Sequence, residues 1–265
     1  MPFFEYHGAK MHYVDIDQSE EPSNGLPLVF IHGAGSSMMI WTLQLLEFRK
    51  RHRVIALDLY GHGDSEDIER PPDIEKGFSR QLAALLEHLE LQEYVLIGHS
   101  MGGGVVMSYA LENRDPRPSA LVLVGTSSDL DLSKIALGLA IEAFEDHSPK
   151  YDIKDLDDDF KVFSLVNFQQ NATKFQANTI LKDLQACNNF DITPRLNEIT
   201  IPSLVLVGED DDIITPRRAK QLEMALPRAE FAIVRGSDHS PMVESPDIFN
   251  DILNKFLHWV EKNGN

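Results

Sequence analysis

The chain has 265 residues, of which 43% are hydrophobic and 25% charged, as in an ordinary globular protein with a large buried core. Its 24 basic and 42 acidic residues give a formal net charge of −18, and a field of that sign repels nucleic-acid phosphates and anionic membrane surfaces. We therefore expect no nucleic acid and no membrane surface as a partner.

The single cysteine and the N-terminal segment favour a cytoplasmic protein. Cys187 cannot form an intrachain disulfide, and its helical context predicts a buried thiol. Residues 1–7 lack the basic and apolar segments of a signal peptide. No apolar stretch approaches the ~20 residues that cross a membrane, so we expect no membrane span; the oligomeric state stays open.

Short apolar runs alternate with helical patterns along the chain. Strands are expected at residues 3–6, 10–16, 28–31, 54–57, 94–97, 120–124, 203–207 and 230–234. Helices are expected at residues 41–51, 73–89, 103–111, 216–226 and 246–262. This alternation is typical of an α/β fold, and the continuous apolar strands are typical of a mostly parallel sheet that helices cover on both faces.

The alternation stops near Asp129 and resumes at Ser203. The residues between them show helical patterns and no strand-like run. Candidate helices lie at 133–145, 156–166 and 174–186. We interpret residues 129–197 as a helical cap, inserted between core segments at 1–128 and 198–265.

The segment Gly98-His99-Ser100-Met101-Gly102 follows a strand pattern and precedes a helical one. A Gly-x-Ser-x-Gly segment in that position is typical of the nucleophile elbow, a tight turn that needs small residues on both sides and exposes the serine hydroxyl. The pattern alone occurs by chance in about one chain of this length in ten. Its interpretation as a catalytic serine therefore depends on the residues that follow.

A serine hydroxyl needs a base, and the base needs a carboxylate that orients it. His239 is the best candidate base because it lies in the loop between the last strand and the last helix. The acid is expected in the run 209–212, Glu-Asp-Asp-Asp, which follows the preceding strand. We choose Asp211, three residues past the glycine that ends this strand, and keep Asp212 as the alternative.

Acyl transfer also needs donors for the negative charge that develops on the substrate oxygen. The backbone N–H of Met101, at the start of the elbow helix, is one candidate. The N–H of Ala34 is the second, because Gly33 and Gly35 allow the unusual turn that would direct it inward. His32 precedes this turn, and we expect it to support the loop by hydrogen bonds and not to act as a second base.

Together these segments resemble the α/β-hydrolase superfamily from about residue 26 to the C-terminus. The matching segments, in order, are residues 32–35, 58–65, 98–103, 201–208 and 236–241. The resemblance implies an eight-stranded sheet, a cap after the sixth strand, and a triad and oxyanion hole formed by Ser100, Asp211, His239, Ala34 and Met101. The extra acid in the 209–212 run leaves Asp212 open, and we assign no catalytic role to the 58–65 segment.

Serine at position 100 favours an ester hydrolase over the dehalogenases and epoxide hydrolases of the superfamily, which have aspartate there. Met38, Trp41 and Met242 flank the motifs and are candidates for a pocket that takes a small-to-medium, largely apolar ester or lactone; core packing is their alternative role. We expect no cofactor and no metal. The alternative functions are a C–C bond hydrolase of ring-cleavage diketone acids and a ligand receptor on the same scaffold.

Overall fold

Eight strands form one sheet in the computed structural model, which describes residues 2–18, 25–68, 73–130 and 177–263. They are β1 (Phe3–Tyr6), β2 (Ala9–Ile16), β3 (Leu28–Ile31), β4 (Val54–Leu57), β5 (Val95–His99), β6 (Ala120–Val124), β7 (Ser203–Gly208) and β8 (Ala229–Val234). Their order across the sheet is β1-β2-β4-β3-β5-β6-β7-β8. β2 pairs antiparallel with both β1 and β4, and the other neighbouring pairs are parallel. The predicted mostly parallel sheet is confirmed.

Seven α-helices accompany these strands in the part of the chain that the structure describes. They are α1 (Thr42–Phe48), α2 (Ser79–His88), α3 (Met101–Leu111), α4 (Ala177–Asn188), α5 (Pro216–Ala225), α6 (Pro241–Glu244) and α7 (Pro246–Asn263). Among these described helices, none combines the length and the apolar character needed to traverse a bilayer.

The sheet separates two hydrophobic cores, because successive side chains of a strand point to opposite faces. In β5, Leu96 belongs to one core, whereas Val95 and Ile97 belong to the other. The first core also contains buried side chains of α2, α3, α4 and α5, and the second contains those of α1 and α7. Helices therefore cover both faces, and this burial explains why the strands are apolar throughout.

Two predicted helices begin in a way that the sequence pattern does not show. The helix after β3 begins with a 3₁₀ turn at Met38–Trp41, and the helix expected at 73–89 begins with a π-helical turn at Ile74–Phe78. The Asp73 carboxylate accepts the Lys76 N–H and so caps this second turn. Apolar spacing does not separate these turn types from a regular helix, because they differ mainly in hydrogen bonding.

Most of the predicted cap lies outside the described residues, which resume at residue 177. Its first two expected helices fall in that range. The third, expected at 174–186, is described from residue 177 onward as α4. Cys187 of α4 is buried, as predicted, and burial raises the pKa of its thiol.

Candidate active site

Ser100 lies between β5 and α3 in a backbone conformation that few residues other than glycine adopt. Its φ is 51° and its ψ is −117°, a strained geometry of the kind found at functional turns. The Ser100 N–H donates to the Val124 carbonyl at 2.8 Å. The Thr126 hydroxyl donates to the Ser100 carbonyl at 2.9 Å. The end of β6 and the residues after it therefore hold Ser100 in this conformation.

The glycines on both sides of Ser100 are required by close packing. A side chain on Gly98 would collide with the Gly102 carbonyl, and a Cβ on Gly102 would lie 2.5 Å from the Ile31 carbonyl oxygen. Glycine at these positions lets α3 begin against the ends of β3 and β5. The tight strand-to-helix turn is the one that the Gly-x-Ser-x-Gly pattern predicted.

Asp211 and His239 meet at the carboxyl ends of β7 and β8. Oδ2 of Asp211 lies 2.9 Å from Nδ1 of His239, and the carboxylate is fully buried while the imidazole is 16% exposed. The other oxygen, Oδ1, accepts the N–H groups of Ile213 and Ile214 at 2.9 and 2.8 Å. Asp212 is exposed. The fold thus brings the preferred acid, and not its alternative, to His239.

His99 and Gly125 surround His239. His99 donates from Nε2 to the His239 carbonyl at 2.9 Å. Burial and repulsion from His239 lower the pKa of His99 to about 3, so its ring is neutral. Gly125 follows β6, and a Cβ there would lie 3.3 Å from His239 Nδ1 and 3.4 Å from Asp211 Oδ2. Because His99 immediately precedes Ser100, these contacts place all three candidate triad residues at one end of the sheet.

The loop after β3 is supported by the buried side chain of His32. Nε2 of His32 accepts the Leu59 N–H at 3.0 Å, so the ring proton is on Nδ1, which donates to the Gly33 carbonyl at 2.8 Å. Burial and repulsion from His62 lower the pKa of His32 to about 4, which keeps the ring neutral. The Gly33 carbonyl shares a peptide group with the Ala34 N–H. Since the two point in opposite directions in a trans peptide, His32 orients the Ala34 N–H.

The three candidate pocket residues are buried in the second core. Trp41 packs against Phe30 of β3 and Phe249 of α7, with ring centroids 5.1 and 6.3 Å apart. Met38 and Met242 belong to the same core. These packing contacts account for the burial of the three side chains and favour the core-packing alternative. Contact of these side chains with a substrate stays a prediction.

The sequence model of the alpha/beta hydrolase family matches residues 28–252 of this chain. The chain belongs to the alpha/beta hydrolase family. A non-heme chloroperoxidase from Burkholderia pyrrocinia is 30% identical to this hydrolase over 260 residues, which cover 89% of this chain and 93% of that protein.

Solved structures show the same hydrolase fold. The enol-lactonase from Burkholderia xenovorans LB400 has a TM-score of 0.78 at 22% identity and matches 97% of this chain and 100% of its own. A structure from a study of carboxylesterases of the thaumarchaeon Nitrososphaera gargenis has a TM-score of 0.77 at 24% identity and matches 99% of this chain and 100% of its own. Both similarities extend over nearly the whole hydrolase chain.

Sequence reasoning missed several residues that hold the candidate site of this hydrolase. Gly125 and Thr126 follow β6 directly. Because β6 lies next to β5 in the sheet, this adjacency was the signal that could have placed them near Ser100. His99 lies inside the recognised motif, where nothing local indicates its contact with His239. Asp183 of α4 contacts the Ala34 loop through the Gly35 N–H, and no sequence signal indicates it.

No group of three or more histidine, cysteine, aspartate or glutamate side chains is placed to hold a metal ion within residues 2–18, 25–68, 73–130 and 177–263. The described site places the strained Ser100 and the Asp211–His239 pair at the same end of the sheet.

Proposed function

We propose that this hydrolase cleaves carboxylic esters, including lactones, of small-to-medium and largely apolar substrates through an acyl-enzyme on Ser100. The observation that carries the proposal is the 2.9 Å contact between Asp211 Oδ2 and His239 Nδ1, at the sheet edge where the strained Ser100 lies. A nucleophile, a base and an orienting carboxylate are the groups that acyl transfer requires.

His239 is the general base in this proposal. Asp211 holds the imidazole proton on Nδ1, so Nε2 keeps the lone pair that takes the proton of the Ser100 hydroxyl. Oγ of Ser100 then bonds to the substrate carbonyl carbon. When the tetrahedral intermediate collapses, the carbon–oxygen bond to the alcohol breaks and His239 returns the proton to the leaving oxygen. Water repeats the cycle on the acyl-enzyme, which releases the carboxylic acid and restores Ser100.

The negative oxygen of each tetrahedral intermediate needs donors that are already in place, and loss of one donor raises the barrier by about 3 kcal/mol. We assign this role to the N–H groups of Ala34 and Met101. The orientation of the Gly33–Ala34 peptide by His32 supports the first assignment. Met101 is the first residue of α3, where the N–H groups have no acceptor within the helix and the helix dipole favours negative charge.

An ester or lactone that carries no large negative charge fits this chain best. The formal net charge of −18 disfavours polyanionic substrates. Proteins of the same fold include an enol-lactonase and carboxylesterases, and both classes cleave an acyl–oxygen bond. These similarities support acyl–oxygen cleavage over the C–C bond hydrolysis that the sequence motifs leave open.

A fluorophosphonate probe tests the acyl-enzyme directly, because it forms a stable adduct with an activated serine. We expect one adduct, mapped to Ser100 by mass spectrometry, and its loss in Ser100→Ala together with at least a ~10³-fold drop in p-nitrophenyl acetate turnover. Ser240→Ala is the matched control, because it removes a hydroxyl next to His239. An adduct on another residue, or none in the wild-type protein, would contradict the proposal.

A substrate panel tests the ester assignment separately from the nucleophile. It contains p-nitrophenyl esters of increasing acyl length, simple lactones and a vinylogous diketone acid. We expect turnover of the esters or lactones to exceed that of the diketone acid. Faster turnover of the diketone acid would assign the same triad to C–C bond hydrolysis. Submicromolar binding of a panel compound without its turnover would indicate a ligand receptor.

A further inference from the structure

A buried carboxylate on α4 contacts the loop that carries Ala34. Asp183 is 1% exposed, and its Oδ2 accepts the Gly35 N–H at 2.8 Å. The same oxygen lies 2.7 Å from Nε2 of His62. Gly35 has a φ of 62°, a left-handed conformation that glycine adopts at no steric cost. The contact joins α4, which lies within the segment predicted as a cap, to the loop after β3.

His62 carries a positive charge in this arrangement. Its Nδ1 lies 3.0 Å from the Tyr60 carbonyl, and its Nε2 faces Asp183. Because both neighbours are acceptors, both ring nitrogens carry a proton. Burial lowers the pKa of His62, but attraction to Asp183 and the hydrogen bond between them outweigh burial and raise it. The charge on His62 thus faces the buried side chain of Asp183, whose Oδ2 accepts the Gly35 N–H.

The peptide groups on both sides of Ala34 are therefore held. On one side His32 donates to the Gly33 carbonyl at 2.8 Å, and on the other side Asp183 accepts the Gly35 N–H. Since each peptide group is planar, fixing the two groups fixes the φ and ψ of the residue between them. The direction of the Ala34 N–H is set by both contacts.

We propose that Asp183 is a positioning residue for the oxyanion hole, and that it holds the Ala34 N–H in place through Gly35. The inference rests on the proposed function, in which Ala34 is an oxyanion donor. Donors stabilise a transition state only when they are held close to their working geometry. Loss of the Asp183 acceptor therefore lowers the rate of the chemical step and leaves substrate affinity largely unchanged. Catalysis then depends on the position of α4.

Two variants of Asp183 distinguish the effect of its hydrogen-bond acceptor on catalysis from the effect of its negative charge. Asp183→Leu has a similar branched shape and no acceptor, and we expect kcat for p-nitrophenyl acetate to fall by about 10- to 100-fold with KM within about twofold. Asp183→Asn keeps an oxygen that can accept the Gly35 N–H, and we expect it to recover most of this loss. Lys182→Ala is the matched control, because it removes the neighbouring exposed ion pair with Asp67 and should leave kcat unchanged.

A double variant tests whether loss of folding, and not loss of the acceptor, lowers kcat in Asp183→Leu. In Asp183→Leu alone, His62 loses its partner in a buried site, which destabilises the protein. The double variant His62→Phe/Asp183→Leu removes both charges, and such replacements are often neutral for stability. We expect its thermal unfolding midpoint to return toward that of the wild type, while its kcat stays as low as that of the single variant.

Other results would overturn the inference. They are a wild-type kcat in folded Asp183→Leu, recovery of kcat together with stability in the double variant, or an equal loss in Lys182→Ala. A rise in KM alone would assign Asp183 to substrate binding instead. These failures are distinct from failure of the proposed function, which would appear in the wild-type protein as absence of the Ser100 adduct.

Discussion

At the scale of single residues, the carboxylate of Asp211 differs from its acidic neighbours because both of its oxygens are engaged. Oδ1 accepts two backbone N–H groups, and Oδ2 faces His239. The backbone donors fix the direction of the carboxylate, so that Oδ2 faces Nδ1 of the imidazole. Asp212, one residue further, is exposed to solvent and does not face His239.

Substitution of the two neighbouring acids by asparagine tests this difference. In Asp211→Asn the amide can donate to Nδ1, which favours the wrong tautomer of His239, and we expect kcat for an ester to fall on the order of 10³- to 10⁴-fold. In Asp212→Asn we expect a change of less than about twofold, since exposed substitutions away from the site have small effects. Steady-state kinetics on both variants checks the assignment, and a larger loss in Asp212→Asn would reverse it.

At the scale of elements, α4 is attached to the loop after β4 as well as to the loop after β3. The Thr179 hydroxyl donates to the Gly61 carbonyl at 3.3 Å, and the Asp183–His62 pair is buried close by. The charged groups that affect His62 are Asp183 and Asp58, which favour its protonated form. His32 lies 4.8 Å away between ring centroids, and its lowered pKa of about 4 keeps it neutral above pH 5.

This ion pair predicts a pH-dependent stability. The pKa of His62 is raised in the folded state, so its stabilising contribution is complete below the unfolded value of about 6.5 and is lost as pH rises through the folded value. We expect the difference in free energy of unfolding between wild type and His62→Gln, measured by urea titration, to shrink over the pH interval that begins near the unfolded pKa of about 6.5 and rises through the folded pKa.

The exposed His258 provides the control for that measurement. His258→Gln should change the free energy of unfolding by little at every pH, because exposed charges contribute little to stability. A difference between wild type and His62→Gln that stays constant over the same pH interval would show that His62 does not titrate there with Asp183.

At the scale of the whole molecule, the dominant long-range property is negative charge. The formal net charge of −18 on 265 residues makes the folded chain repel itself and repel anionic solutes at low ionic strength. Salt shortens the range of this repulsion, from a Debye length of about 30 Å at 0.01 M to about 8 Å at 0.15 M. Stability and substrate selection should therefore both respond to salt.

Kinetics at several salt concentrations tests the effect of this charge on substrate selection. For an ester whose acyl group ends in a carboxylate, we expect KM to fall as sodium chloride rises from about 10 to about 200 mM, because the repulsion is screened. The matched neutral ester of the same length is the control, and its KM should change little. An equal change in KM for the two esters would show that the net charge does not affect substrate binding at the site.

The sequence by itself determined the fold class, the strand order along the chain, and Ser100 and His239 as candidates. These signals are local. A strand, a turn and a helix that follow one another within about fifteen residues identify a loop at the carboxyl end of a strand in a parallel sheet. It also indicated that His32 supports the loop after β3, because a histidine beside a glycine turn has backbone groups within reach.

Only the tertiary structure shows that Asp211, and not Asp212, contacts His239. Four consecutive acids have the same local pattern, and one turn of backbone decides which carboxylate points inward. The tertiary structure likewise revealed His99, Gly125 and Asp183. Asp183 is 148 residues from Gly35 in the chain, and their contact forms only when α4 packs against the core. Pairings over such separations depend on the packing of whole elements, and neither residue type nor spacing encodes them locally.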